Sequence, residues 1–290
     1  MLSIYSVMNI LVTGANGQLG QTFKDLQSQY KNHKFTFAGR KALDITKAQD
    51  VMAYFEQNQF DCVLNCAAYT AVDQAEDEPD QAYLINKTGV EHLVKACESF
   101  NVRLIHFSTD YVFNGQKNQP YSETDAVNPQ CLYGASKLAG ETLILNSKLS
   151  SLIIRTSWLY SEYGHNFMNS MKKLGQDRDS LRIVYDQIGT PTYARDLAKA
   201  TMTCIEKHNI WVGQQEIYHF SNEGVASWYD FALAIFEKDN ISCQVQPILS
   251  KDYPTKAKRP PYSVLDKSKF KVDFGIDIPH WLKSLKSFEL

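Results

Sequence analysis

The chain lacks a surplus of either charge. Its 290 residues include 30 Lys or Arg and 32 Asp or Glu, a formal net charge of −2. Nucleic acid and anionic lipid surfaces are held by a dense basic field, and none exists here, so neither partner is expected. Charged residues make only 21% of the chain against 44% hydrophobic, which excludes a disordered chain and a coiled coil. Long apolar runs are missing too: none approaches the roughly 20 residues a membrane-crossing helix needs. Met1–Ile10 has neither the basic segment nor the small-residue cleavage site of an export signal. Met8 directly precedes the first strand-like run, so Met1–Val7 reads as an extension, or Met8 as an alternative start.

Cysteine is sparse and unpaired by spacing. The six stand at 62, 66, 97, 131, 204 and 243, with no Cys-x-x-Cys and no His at metal-ligand distance in sequence. They read as buried small hydrophobes in a reducing compartment, the cytoplasm. A chain of this length buries roughly 75% of its unfolded surface and needs no covalent staples. Internal repeats and low-complexity segments are also absent.

What is present is alternation. Short β-branched, nearly continuous apolar runs predict strands at Asn9–Thr13, Lys34–Phe37, Cys62–Asn65, Arg103–Phe107 and Ser151–Arg155. Between them the spacing predicts helices near 18–30, 47–57, 80–100 and 132–147, with Thr46 and Gln49 as a capping box for the second. This order predicts an α/β fold: a Rossmann-like doubly wound parallel sheet with helices on both faces. After residue 160 the rhythm loosens. Helices are expected near 166–174 and over Ala194–Lys207, strands at Leu181–Val184 and Ile217–Phe220, and a last helix over Pro279–Phe288. Ser227 with Asp230 forms a second capping box, and Lys251–Tyr262, with three of the nine prolines, is loop. The expected organisation is a dinucleotide-binding core over 8–160. A smaller C-terminal substrate-binding lobe covers 161–290, partly interleaved with that core.

Gly14, Gly17 and Gly20 join the first strand to the first helix in a G-x-x-G-x-x-G turn. Such a turn brings backbone N–H groups at a helix N-terminus close to a pyrophosphate. The second strand ends in Arg40-Lys41 rather than in the acid that selects NAD. A guanidinium there favours the 2′-phosphate of NADP. Asp44-Ile45 then falls near the adenine edge. Asn65–Thr70 supplies small residues at the end of the third strand, where a cofactor lies flat. The five carboxylates of Asp73–Asp80 read as a solvated acidic helix start.

Ser108-Thr109-Asp110-Tyr111 ends the fourth strand, and Tyr133-Gly-Ala-Ser-Lys137 opens a helix. Four residues turn a helix by about 400°, so Tyr133 and Lys137 share a face. An ammonium beside a phenol lowers its pKa and makes it a usable proton donor near neutrality. Thr109 is placed to hydrogen-bond the reacting oxygen.

These motifs resemble those of the extended short-chain dehydrogenase/reductase superfamily and, within it, the dTDP-4-dehydrorhamnose reductase family. The resemblance runs from Asn9 to about Asp266. It covers Gly14–Gly20, Asn65–Glu76, Ser108–Phe113, Tyr133–Glu141, Arg155–Tyr160, Asp186–Thr192, Asp196–Ala198 and Arg259–Asp266. It implies reduction of a C4 keto-sugar carried on a nucleotide, with NADPH as cofactor and NADH also open. Tyr133 is implied as proton donor, and Lys137 as the group that lowers its pKa and holds the nicotinamide ribose. Thr109 is implied on the same oxygen. Asp110, Thr70, Val72 and Trp158 are implied at the substrate. Gly17, Gln18, Leu19, Asp44, Ile45, Ala68 and Tyr69 are implied at the dinucleotide. Arg259, beside Pro260-Pro261, suits the diphosphate of the sugar nucleotide, and Asn166 and Phe167 are candidates to read its base.

Some members bind Mg²⁺ at a dimer interface through glutamates, the first of them two residues after the third glycine. Thr22 stands there, so neither the metal nor that dimer is implied, and a monomer or weak homodimer is expected. Two rivals remain open at this point. One is a regulatory subunit of methionine adenosyltransferase on the same fold. The other is a reductase or epimerase of a different nucleotide sugar.

Overall fold

The computed structural model describes residues 7–287; Met1 to Ser6 of the expected extension and Phe288 at the end of the expected last helix lie outside it. The first half runs β1 (Asn9–Thr13), α1 (Gln18–Leu26), β2 (Lys34–Ala38), α2 (Ala48–Gln57), β3 (Cys62–Asn65), α3 (Pro79–Tyr83), α4 (Gly89–Phe100), β4 (Arg103–Thr109), α5 (Leu132–Leu145) and β5 (Ser151–Thr156). The second half runs β6 (Leu159–Tyr160), α6 (Phe167–Asp177), β7 (Ser180–Val184), β8 (Ile188–Gly189), β9 (Thr192–Tyr193), α7 (Ala194–Glu206), β10 (Gln215–His219), β11 (Ala226–Ser227), α8 (Trp228–Asp239), β12 (Gln244–Ile248), α9 (Ser268–Phe274) and α10 (Trp281–Lys286).

The main sheet has six strands in the order β10-β5-β4-β3-β1-β2, every neighbouring pair parallel. The chain moves outward from β1 to β2, then crosses to β3 on the other side. That reversal opens a crevice at the carboxyl ends of β1 and β3, where ligands of such sheets sit. Alternation along the strands feeds two cores. Ile10 and Val12 join a cluster with residues of α1 and α7; Leu11 faces the other side, with α2, α4 and Ile144 of α5. Fully burying each such side chain contributes about 1.5–3 kcal/mol relative to leaving it in water.

The expected alternation holds, with these differences. Residues 79–100 are not one regular helix: a π-turn at Leu84–Thr88 separates α3 from α4. Thr46 does not cap α2. The N-cap is Lys47 with no side-chain bond, and the Thr46 hydroxyl donates instead to Asp44 Oδ1 at 2.7 Å. The Ser227–Asp230 capping box is present on α8. β12, α9 and the two-residue ladders β6–β9 and β8–β11 were not expected from local pattern.

Beyond the main sheet, β7 pairs with β12, and α6, α8 and α10 pack around a third core with Phe231, Ile235 and Trp281. The chain returns to the main sheet at β10, beside β5. Among the described residues no helix is long and apolar enough to cross a membrane.

Candidate active site

The glycine turn between β1 and α1 stands at the crevice. Gly14 has φ +60°, and a Cβ there would lie 2.6 Å from the Ala67 backbone nitrogen in the turn after β3. Only glycine lets those two turns close on each other. Gly17 is the N-cap of α1 and carries no side-chain cap, so the first N–H groups of the helix keep their positive end for an anion. Gln18 is tied into the second half of the chain: its Oε1 accepts from Ser161 Oγ and Asn166 Nδ2, both at 3.0 Å. Asn166 also caps α6 by accepting from the Asn169 N–H at 3.0 Å. Its amide therefore joins α6 to the glycine turn. Phe167 packs on the Trp228 ring, centroids 4.7 Å apart.

Past β2, Arg40 is largely exposed and pairs with Asp44 at 3.4 Å. The Thr46 hydroxyl, with help from Arg40, holds the Asp44 carboxyl below its usual range. Ile45 is buried beneath them. The turn after β3 carries Ala68, Tyr69, Thr70 and Val72, of which Thr70 is exposed. Asn86 fixes this turn from both sides. Its Oδ1 accepts from the Tyr69 N–H at 2.9 Å, and its Nδ2 donates to the Tyr69 carbonyl at 3.0 Å and to Ser136 Oγ on α5 at 2.9 Å. The π-turn holds Asn86 in that position. A buried asparagine inside a helical stretch is a poor helix former, and that was the available signal for it.

The acidic run after this turn is not a solvated helix start. Glu76 accepts from the Leu132 N–H at 2.8 Å, at the first turn of α5. Glu78 accepts from the Tyr69 hydroxyl at 3.0 Å. Asp73 takes both arms of Arg259, at 3.1 and 2.7 Å. Charged side chains scattered through one sequence window thus serve three different tertiary partners.

Thr109, Tyr133 and Lys137 meet at the carboxyl edge of β4. Thr109 Oγ1 donates to Asp110 Oδ1 at 3.0 Å and accepts from the Tyr111 N–H at 3.2 Å, which caps the turn Asp110–Val112. Burial pushes the Tyr133 phenol's pKa up, opposed by the Thr109 hydroxyl, which lowers it. The ring stands edge-on to Tyr111 at 5.6 Å. Burial also lifts the Asp110 carboxyl to about 6, opposed by Ser263 and Thr109.

Lys137 is 2% exposed. Its Nζ donates to the Phe107 carbonyl at 2.7 Å and lies 3.2 Å from His106 Nε2. Burial lowers its pKa to about 8. Tyr133 and Lys137 do share a face of α5, but the ammonium end is drawn to β4. The groups that perturb Tyr133 are Thr109, Asp110 and Cys131. His106 was not foreseen, although a lone histidine in the run Leu104-Ile-His-Phe107 is its signal.

Trp158 has φ +46°, a region that non-glycine residues enter only under constraint. Its indole stacks on Trp228 with centroids 3.5 Å apart and planes 8° from parallel. Gly189 makes room: a Cβ there would lie 2.6 Å from the Trp158 ring. Trp228 comes from α8, far along the chain, and no local pattern marked it. Arg259, expected at a diphosphate, has its two terminal nitrogens on Asp73 instead, and the loop around it is held by the Ala257 N–H on the same carboxylate at 3.0 Å. Thr22 donates to the Gln18 carbonyl at 2.8 Å. Among the described residues no group of three or more His, Cys, Asp or Glu is placed to hold a metal.

A parallel sheet with a glycine turn at its switch point and a Thr–Tyr–Lys set at its carboxyl edge defines a reductase of the extended short-chain dehydrogenase type. Comparison with known proteins narrows this. The model of the RmlD substrate binding domain matches residues 8–289. The dTDP-4-dehydrorhamnose reductase of Aggregatibacter actinomycetemcomitans is 42% identical over 288 residues, covering 96% of this chain and 97% of its own. The crystal structure of a dTDP-4-dehydrorhamnose reductase from Clostridium acetobutylicum superposes with a TM-score of 0.92 at 40% identity, covering 97% and 98% of the two chains. The Bacillus anthracis enzyme, crystallised with NADP, gives 0.91 at 36% identity with the same coverage. The chain belongs to the dTDP-4-dehydrorhamnose reductase family.

Proposed function

We propose that this chain reduces the C4 keto group of dTDP-4-dehydro-6-deoxy-L-mannose to give dTDP-L-rhamnose. NADPH is the cofactor, with NADH as a second donor, and the chain works in the cytoplasm as a monomer or weak homodimer. The observation that carries the reading is Tyr133 near Thr109 at the carboxyl edge of β4, one helical turn from Lys137, in a chain whose relatives over nearly full length are named reductases of this sugar nucleotide.

The residues fit a dinucleotide. A side chain at Gly14 would close the turn, α1 begins without a side-chain cap, and the exposed Arg40 suits a 2′-phosphate better than a bare hydroxyl. Gly17, Gln18, Leu19 and Gly20 would hold the pyrophosphate, Arg40, Asp44 and Ile45 the adenosine, and Ala68, Tyr69 and Lys137 the nicotinamide half. The bound cofactor supplies the hydride. Tyr133 gives its phenolic proton to the C4 oxygen. Thr109, beside the phenol and fixed by its own bonds to Asp110 and the Tyr111 N–H, would help to position the C4 oxygen. The stacked pair Trp158–Trp228 would offer an apolar wall to the sugar, and Thr70 and Val72 would complete its site. Arg259 serves the diphosphate through the edge of its guanidinium that Asp73 leaves open.

The test is oxidation of NADPH with a panel of nucleotide keto-sugars. The fastest turnover is expected with the dTDP-linked 4-keto-6-deoxy-L-sugar. No turnover with that substrate, and turnover with another, would replace it. A tightly retained NAD that does not exchange would point to an epimerase. The regulatory-subunit reading is not favoured, because the full-length relatives are reductases.

A further inference from the structure

A row of buried polar groups crosses the sheet beneath α5. Thr13 on β1, Asn65 on β3 and His106 on β4 are register neighbours, and Lys137 hangs over the last. Each is at most 2% exposed. The distances along the row are 2.7 Å from Thr13 Oγ1 to Asn65 Oδ1, 3.0 Å from Asn65 Nδ2 to His106 Nδ1, and 3.2 Å from His106 Nε2 to Lys137 Nζ.

Donor and acceptor roles propagate along this row from one fixed end. The Ala67 backbone N–H can only donate, and it points at Asn65 Oδ1 at 3.3 Å. That orients the amide, so Nδ2, which can only donate, faces His106 Nδ1. Nδ1 must therefore hold a lone pair. An imidazole with one free nitrogen carries its proton on the other, so Nε2–H points at Lys137. An N–H can bond to Nζ only if Nζ also has a lone pair, which an ammonium lacks.

We propose that Asn65 and His106 favour the neutral amine form of Lys137 in the cofactor-free chain, so that α5 carries a lysine that gives up its proton easily and not a fixed cation.

The groups around Lys137 agree. Glu141, one turn along α5, gives its carboxylate to Arg155 of β5 at 2.7 to 3.2 Å, so it is already neutralised. From the turn after β3, burial pushes the Cys66 thiol up, which leaves it uncharged. On β4, burial pushes His106 down, which keeps the ring neutral. A neutral amine still has an N–H to give the Phe107 carbonyl. Tyr133, one turn back, is a neutral phenol. No free anion is left to hold a proton on Nζ.

This inference concerns a residue that the proposed function assigns to the cofactor. Its test needs neither cofactor nor substrate, so the two can fail separately. Chain labelled with ¹³C at the lysine ε-carbons would be titrated by NMR, with Lys137→Met identifying the Lys137 signal. Long-range ¹H–¹⁵N spectra would report the His106 tautomer. Expected are a Lys137 midpoint of about 8, lowered by burial well below that of an exposed lysine, and a ring protonated on Nε2. Asn65→Asp keeps both acceptor bonds to Thr13 and Ala67 but offers His106 an acceptor. It should move the ring proton to Nδ1 and raise the Lys137 midpoint by about one pH unit or more. A wild-type Lys137 that titrates with the exposed lysines, beside a ring protonated on Nδ1, overturns the proposal whether or not the variant folds.

Discussion

Tyr133 and Trp158 are both assigned to the proposed sugar site, but different kinds of construction hold them. Tyr133 rides on α5, which Glu76, Asn86 and the Glu141–Arg155 pair fasten to three separate elements, beside a strand with parallel neighbours on both sides. Trp158 and Arg259 belong to the other kind. One is a strained residue beside a two-residue ladder, and the other is a loop cation clipped to one carboxylate. The sheet edge is over-determined, as positioning a proton to a fraction of an ångström requires. Trp158 is held by a ring stack and Arg259 by one ion pair, which allows a pocket to be reshaped without disturbing the chemistry.

The sharpest way to test this contrast is at the chemistry itself. Tyr133→Phe fills the same space without a proton to give, so turnover should fall by about 10²–10⁴-fold. Cofactor binding, read by titration, should be unchanged. Near-normal turnover would remove Tyr133 from the mechanism.

The next largest effect should be on folding. Arg155→Met leaves Glu141 buried without a partner under α5, which typically costs about 3–5 kcal/mol. Denaturant melts should show that loss. Adding Glu141→Leu should recover most of it, because the uncompensated charge is gone. If the single variant melts like wild type, α5 is not fastened through this pair.

Asp110 gives a pH-dependent test. Its folded-state value is raised from 3.8 to about 6. Between those values the folded chain keeps a proton that the unfolded chain has lost, so this group's stability contribution falls as pH rises. A shift of this size corresponds to about 3 kcal/mol. Asp110→Asn should therefore be more stable than wild type by about 2 kcal/mol above pH 6 and equal to it below pH 4. A gain that is the same at both pH values would mean that packing, and not the carboxylate, is responsible.

Smaller effects are expected at the periphery. Arg40→Ala should weaken NADPH by about 1.5 kcal/mol and NADH by much less, because only the former carries the 2′-phosphate. Equal weakening of the two cofactors, or none, in paired titrations would reduce Arg40 to a surface cation. Arg259→Ala should raise the KM for the sugar nucleotide by roughly three- to tenfold with cofactor binding intact, about 1 kcal/mol of an exposed charge-assisted contact. If Asp73→Asn raises KM equally, the clip positions the loop and Arg259 does not touch the substrate itself.

Much of this molecule was legible in the linear chain because its signals are local. The apolar runs of β1, β3, β4 and β5, the glycine turn and the Tyr133–Lys137 spacing each lie within one element, where periodicity and turn chemistry act directly. The Ser227–Asp230 box is equally local and is present. The Thr46–Gln49 pattern looks the same, yet Thr46 turns to Asp44, because a nearer acceptor won its hydroxyl. β12 and the short ladders carry no strong pattern of their own; a partner strand from elsewhere in the chain makes them strands.

The sequence by itself determined the strand order of events, the nucleotide-binding turn and the residue types of the reacting set, since these depend on neighbours within a few positions. Only the tertiary structure decided how those groups are charged and held. Asp73 meets Arg259 from 186 positions away in the chain, and Trp228 reaches Trp158 from α8. His106 meets Lys137 only because β4 passes under α5. Burial and hydrogen-bond direction are properties of that assembly, and they set whether a lysine in the motif is a cation or an amine.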